Sequence, residues 1–483
     1  MYVRSVETFF PRLVSYFPFG TRSQTCEIPA MMNLRLMPAL LLFVFLLPSC
    51  ALFTGSDDKE WVRPTPDYSK PATYVHEWNR LLIEIIKKDG FTPVSAARNY
   101  AYANIGAYHA ALPAFPDCQD LAGQIKGLTS FPTVDGSIDP RVAVVSAYET
   151  IAPTVIYRRN MSDSVAEIHY GLLVAEGVSP ERMARSKAYG KTVGDHIIEW
   201  MDKDNFIRIG AKTRYEVPEF PGSWARTPPG FGDPVDPYWS EHRTWIMDSA
   251  SQFMPAPPPP FSTDPSSPFY KMVREVYDIS NELTDEQAGI ATFWDCNPIH
   301  SHHDGHFIYN TRQVSPGGHW INIASIAAEM EGIDLMESLE MYVDVSVALA
   351  DGFISSWDAK YKYNLVRPVT YIHEHIDSNW QPYIETPPFP EWTSAHSTIS
   401  AAAAAVLTDR FGDSFAYDDW TEAYLGLPIR SFDSFREAAL EVTWSRVWGG
   451  IHFTGACMEG TKKGWEIGEL VADRIQTRRT PAE

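Results

Sequence analysis

The stretch from Asp334 to Asn364, DLMESLEMYVDVSVALADGFISSWDAKYKYN, reads as one long helix, and it constrains the fold more than any other feature. A helix of that length must be covered by other elements, and the rest of the chain supplies helices. YVHEWNRLLIEIIKK, starting at Tyr74, carries apolar residues at helical spacing. SVAEIHYGLLVAEG opens with Ser164 and Glu167, a capping-box pair, and stops at Gly177. SPERMARSKAYGKTVGDHIIEWM has Ser179 as N-cap and Pro180 at the first helical position. Thr284 and Gln287 form another capping box, and three more helical segments begin at Ser394, Ser434 and His452. Strand signals are sparse. Residues from about 205 to 265 differ: VPEFPGSWARTPPGFGDPVDPYW and then MPAPPPPF are rich in proline and aromatics, which predicts extended chain packed on the surface. The expected fold is all-α, two packed helical bundles joined by this proline-rich segment. The N-terminal bundle with its connection spans 70–265, and the C-terminal bundle spans 266–478.

With 45% hydrophobic and 21% charged residues, most of the 483-residue chain should be globular. The net charge of -21 argues against nucleic acid or an anionic lipid surface as partner, because both need a basic face. Any anion site must build its positive field locally, against the sign of the whole. Of five cysteines, Cys118, Cys296 and Cys457 lie in the folded part, widely spaced and without a CxxC pair, so a zinc or iron–sulfur site built on cysteine is not expected. One disulfide among them is compatible with an oxidising compartment.

The segment MNLRLMPALLLFVFLLPSC has a short polar start with Arg35 and an apolar core from Leu36 to Leu47. That core is too short to span a bilayer and reads as a secretory signal. Its Leu-Pro-Ser-Cys end resembles the lipobox of bacterial lipoproteins, in which the cysteine, here Cys50, takes the lipid. The signal would occupy 31–50, with Met31 or Met32 as the start and 1–30 as an upstream segment outside the protein proper.

Three segments carry candidate chemistry. In KYKYNLVRP, Lys360 and Arg367 are seven apart, nearly two helical turns, so both cations can share a face, although Pro368 biases Arg367 away from helix. In TSAHSTISAAAAAVL, Ser394 caps a helix and places Ala395 and His396 in its first turn, where unpaired N–H groups favour an anion. In SRVWGGIHF, Arg446 ends one helix, Gly449 and Gly450 break it, and His452 opens the next. Singly, each is an ordinary feature. Together, three cations, a capped helix start and two histidines suit the holding of a highly charged tetrahedral oxyanion, with one histidine on its central atom and the other moving protons.

Lys-x6-Arg-Pro, Ser-x-His and Ser-Arg-x5-His, in this order from Lys360 to His452, resemble the signature that unites vanadium-dependent haloperoxidases with type 2 phosphatidic acid phosphatases and bacterial class A acid phosphatases. The family pattern Pro-Ser-Gly-His is here Thr393-Ser394-Ala395-His396. The resemblance implies vanadate or phosphate held by Lys360, Arg367, Arg446, Ser394 and the amide of Ala395. It makes His452 the axial ligand of vanadium, or the nucleophile of a phosphatase, and His396 the acid–base residue. Chain length, an extra helical half before the signature and TPPFP before the serine resemble the haloperoxidases. Trp357 and Phe389 match aromatic positions on the halide side of their site.

The implied activity is oxidation of halide by hydrogen peroxide to a hypohalous-acid-type species, with vanadate as cofactor, Lys360 polarising peroxide and His396 taking a proton. Halide and peroxide are then the substrates. The organic halogen acceptor and the formation of a homo-oligomer stay open. A secreted phosphatase with a His452 nucleophile is the alternative, and a non-catalytic binding lipoprotein on the same fold is a third reading. Asp295 and Asn297 are expected to brace a catalytic cation. His300, His302, His303 and His306, beside Asp304, are expected to form a loop near the site entrance, and Gly318, His319 and Trp320 are candidates to line the channel.

Overall fold

Capping residues and proline set where most of the helices start. The computed structural model describes residues 63–479 except 299 and 305. In chain order the N-terminal part contains α1 (Thr73–Asp89), α2 (Pro93–Ala111), α3 (Pro140–Val155), α4 (Arg159–Ala175), α5 (Pro180–Met201) and the short α6 (Phe206–Gly210). After the proline-rich stretch come α7 (Pro268–Asn281), α8 (Asp285–Phe293), a hairpin of β1 (His300–Asp304) and β2 (Phe307–Thr311), α9 (Pro316–Glu331), α10 (Leu335–Tyr363) and α11 (Pro368–His375). The chain ends with α12 (Ala395–Phe411), a second small hairpin of β3 (Tyr417–Asp419) and β4 (Arg430–Phe432), α13 (Phe435–Trp448) and α14 (Thr454–Arg474). The architecture is all-α apart from these two antiparallel hairpins.

Ser179 caps α5 by accepting from Arg182 N, and Thr284 and Gln287 make the capping box of α8. Ser164 does not cap: α4 begins at Arg159, and the Ser164 hydroxyl bonds back to the Asn160 carbonyl at 2.8 Å. A serine back-bonded this way inside a helix has the same local sequence as a cap, which is why the pair misleads. The histidine-rich segment forms the β1–β2 hairpin rather than a loop.

Helix α10 runs through the middle of the molecule. It packs against α2 on one side and α12 on another, and α12 packs in turn against α14. Residues 395–408 of α12 are buried on every face, which explains its alanines. The reason is close approach to α14. A Cβ on Gly464 would lie 2.2 Å from the Thr398 carbonyl, and one on Gly468 would lie 2.5 Å from that of Ala402. Small residues on both helices bring the backbones together, and a methyl added at either glycine would overpack the seam by about 1–3 kcal/mol. The seam fixes the start of α12 relative to the turn before α14.

The proline-rich segment packs as expected. Trp224, Trp239 and Trp245 are buried, and the Val235 carbonyl accepts from Trp357 Nε1 and the Tyr361 hydroxyl on α10. Cys118, Cys296 and Cys457 are buried free thiols, so the anticipated disulfide is not formed among them. Among the described residues no helix is long and apolar enough to cross a membrane. The signal segment, Cys50 and residues 1–30 lie outside the described residues.

Candidate active site

Two of the three sequence segments line a cavity of about 410 Å³, and the third joins them through Arg367, whose Nη1 lies 3.2 Å from His452 Nε2. Trp357, Phe389, Ala395, His396, Arg446 and His452 all line it. A larger cavity of about 750 Å³, beside Arg80 and Glu329, contains none of the predicted site residues.

Lys360 sits in the last turn of α10, but Arg367 does not share its helix face. Asn364 takes a left-handed conformation and ends α10, and Arg367 becomes the N-cap residue of α11. The turn, not helical periodicity, brings the cations together. The buried Lys360 ammonium donates to the carbonyls of Pro390, Glu391 and Thr393 at 2.5–3.0 Å. Burial and the nearby Arg367 push its pKa well down. Three carbonyl acceptors nevertheless need three N–H donors, so this geometry holds the charged form. Lys360 therefore also shapes the loop 390–393 that leads into α12.

Arg367 donates from Nε to the Phe389 carbonyl and from Nη1 to that of Ile451, both at 2.8 Å. Its Nη1 lies 3.2 Å from His452 Nε2. Arg446, at the end of α13, is held by the carbonyls of Trp294 and Asp295. The Asp295 carboxylate acts on Arg446 by its charge, against the effect of burial. Asn297 lines the cavity and donates to Glu385 at 3.4 Å. His300 pairs with Asp295 at 3.5 Å, which places the start of β1 beside the cavity wall.

Ser394 accepts from the amide and hydroxyl of Ser397, leaving its own O–H proton to donate. His396 is buried, and its Nε2 has no hydrogen-bond partner. Burial, then Arg446 and His319, hold its pKa well below the ordinary value, so the imidazole is neutral at pH 7.

Glu391 is a site residue that sequence reasoning misses. It is buried, accepts from His452 Nδ1 at 2.7 Å and from the Phe453 amide at 2.9 Å, and so orients the imidazole. This bond places the proton of neutral His452 on Nδ1 and leaves the Nε2 lone pair toward Arg367. Burial pushes Glu391 up to about 7, opposed by Arg367 and Lys360. His452 is pushed well down by burial and then by Arg367, Lys360 and Arg446. The one available signal is a lone carboxylate in FPEWTSAH, in a segment otherwise apolar or hydroxylic.

On the aromatic side, Trp357 and Phe389 pack with ring centroids 5.0 Å apart. Lys360 and Arg367 lie over the Phe389 ring at 5.1 and 5.0 Å. Gly318, His319 and Trp320 are buried behind the wall rather than lining it.

The donor set fits vanadate. Arg367 Nη2 is buried without a partner, as is His396 Nε2. The Nε2 lone pair of His452 faces the same region. A tetrahedral oxyanion satisfies both orphans while Arg367 and Arg446 offset its charge, and His452 Nε2 would exchange its contact with Arg367 Nη1 for the anion.

Residues 340–480 match a family model described as the VCPO second helical-bundle domain. A bacterial vanadium-dependent iodoperoxidase of known structure is 41% identical, with a TM-score of 0.78 over 85% of this chain and 97% of that one. Holo-type and apo-type structures of a bacterial vanadium-dependent chloroperoxidase are each 17% identical, with TM-scores of 0.59. They cover 80% and 78% of this chain and 92% of each of those, and speak to the fold alone. No curated protein sequence matches. The motif order, the fold and the identity over nearly the whole iodoperoxidase place this chain among the vanadium-dependent haloperoxidases.

Proposed function

We propose that this chain oxidises halide with hydrogen peroxide to a hypohalous-acid-type species at a vanadate cofactor. The observation that carries this reading is the convergence of Arg446, His396 and His452 on a single cavity with an aromatic wall, with Arg367 bonded to His452. Bound vanadate supplies a Lewis-acidic centre that activates peroxide without a change of oxidation state. His452, oriented by Glu391, offers Nε2 to that centre. Arg367, Arg446 and Lys360 offset the oxyanion charge, and Ser394 and the Ala395 amide add donors at the start of α12. Neutral His396 accepts a proton from peroxide on entry and returns it on product formation. Trp357 and Phe389 present an apolar, weakly hydrated wall to the halide, with the two cations behind Phe389 drawing the anion in. Iodide is the expected halide, a reading supported by the relative that is itself an iodoperoxidase.

The test is to purify the chain, add vanadate, and follow oxidation of iodide, bromide and chloride with peroxide, beside a phosphomonoester assay without vanadate. Halide turnover that requires vanadate supports the proposal. Phosphate release without halide turnover sinks it in favour of a phosphatase with a His452 nucleophile.

The apolar segment before Cys50 supports export as a lipid-anchored protein of the periplasm or outer membrane. Fatty-acid labelling of the wild type that is lost in Cys50→Ala is the expected result. The match of 340–480 to a second helical-bundle domain supports a division into bundles over 70–265 and 266–478. Self-association into a homo-oligomer is to be read from the mass in solution.

A further inference from the structure

Beside the cavity, with Cys296 in its lining, sits a second buried cluster that the halide chemistry does not use. Cys296 follows α8, His319 lies in the first turn of α9, and Glu422 follows β3. Cys296 Sγ is 3.3 Å from His319 Nδ1, His319 Nδ1 is 3.2 Å from Glu422 Oε1, and Cys296 Sγ is 4.0 Å from Glu422 Oε1. All three residues are buried. We propose that Cys296, His319 and Glu422 bind one divalent transition-metal ion of the zinc class.

The spacing is the first argument. Zinc held tetrahedrally by sulfur, nitrogen and oxygen at ordinary bond lengths puts its ligand atoms about 3.3–3.6 Å apart. The three separations here bracket that range. The donor types are the second. Thiolate, imidazole and carboxylate together suit zinc or cobalt and not magnesium or calcium, which take oxygen. The third is the outer shell. His319 Nε2 donates to Asp419 Oδ2 at 2.7 Å, and the Asp419 carboxylate is itself fixed by the Thr421 amide at 2.9 Å. A metal-ligating histidine commonly has a carboxylate in this position. Trp294 stacks on the same imidazole at 4.4 Å and holds the ring plane. The fourth is an orphan. Glu422 Oε2 is buried with no hydrogen-bond partner of its own, while the Tyr424 hydroxyl is drawn to the same carboxylate by hydrogen bonding as well as by charge. A metal taking this carboxylate through one or both oxygens relieves that cost.

Charge also balances. Coordination displaces the thiol proton of Cys296 and any Nδ1 proton of His319 to solvent. The thiolate, Glu422 and Asp419 then carry three negative charges, offset by the divalent ion and by Arg446, whose charge reaches Cys296. The ion would tie together three segments far apart in sequence. It would also pin Cys296 and with it the preceding Trp294 and Asp295, whose carbonyls hold Arg446 at the cavity. None of the three ligands belongs to the vanadate set, although Arg446 serves the charge of both sites.

Cobalt(II) is the probe. The full-length mature chain, stripped with chelator, is titrated with cobalt(II) alone and followed by absorbance and by metal analysis after desalting. The expected result is one ion per chain with a thiolate-to-cobalt charge-transfer band and a thermal midpoint raised by several degrees. The band should vanish in Cys296→Ser, persist in Cys118→Ser and Cys457→Ser, and persist in His452→Ala. That last variant separates this site from the vanadate site. The wild-type titration does not depend on any variant folding. No stoichiometric uptake, uptake without the thiolate band, or a band that survives in Cys296→Ser overturns the proposal and leaves the cluster as an imidazolium clamped by two carboxylates.

Discussion

His452 and His319 are built alike and placed in opposite fields. Each is a buried imidazole with one nitrogen 2.7 Å from a buried carboxylate, Glu391 for His452 and Asp419 for His319. Around His452 stand Arg367, Lys360 and Arg446, which with burial push its pKa well down. Around His319, burial also disfavours charge, but Asp419 and Cys296 outweigh it and hold the pKa well up. The carboxylate clamp fixes the ring in both, and the tautomer of neutral His452. The surrounding charges decide whether the free nitrogen suits the centre of an oxyanion or, beside a thiol and a second carboxylate, a cation. In a chain of net charge -21, the cationic pocket is the exception that must be built.

The comparison can be broken at either histidine. The largest effect is expected from His452→Ala, which removes the nitrogen that would hold vanadate. Vanadate affinity, measured by dialysis or calorimetry, should fall beyond the roughly 10–100-fold loss that goes with a missing outer partner. Equal affinity in this variant and the wild type contradicts the proposed role of His452 in holding vanadate. His396→Ala should retain vanadate but lower halide turnover by about 10²–10⁴, as for loss of a proton-transfer group. Asp419→Asn, the mirror change on the other histidine, should leave vanadate affinity within about twofold. It should destabilise the fold by about 3 kcal/mol in denaturant titration, because it removes one member of a buried charged pair.

Finer tests sharpen the contrast. Glu391→Gln keeps a carbonyl acceptor for His452 Nδ1 but removes the charge, so vanadate affinity should drop about 10–100-fold. The smallest effect concerns pH. Glu391 titrates at about 7, raised by burial, so it loses its negative charge as pH falls through that value. Wild-type vanadate affinity should fall severalfold relative to Glu391→Gln between pH 8 and 6. Taking the ratio cancels the protonation of vanadate itself. A ratio independent of pH means that the Glu391 charge does not tune His452.

Much is legible without coordinates because it is local. A cap acts over three residues, so Ser179, Ser394 and the Thr284–Gln287 box can be read directly, and Ser164 fails where a back-bonded serine has the same local pattern. The chemical types in the Lys360–His452 set are legible too, since few chemistries require those cations and histidines in that order. The helix-face argument for Lys360 and Arg367 fails because one left-handed residue, Asn364, ends the helix between them.

The sequence by itself determined the helical class, most helix starts and which residue types were candidates for an anion site, since periodicity, capping and side-chain charge belong to short segments. Only the tertiary structure decided that Glu391 meets His452 and that Cys296 and Glu422, 126 positions apart, share His319. Those encounters depend on how α9, α10, α12 and α14 pack. Packing is set by the summed fit of many weak contacts and close backbone approaches, such as Gly464 against Thr398, none of which is encoded next to the residues it brings together.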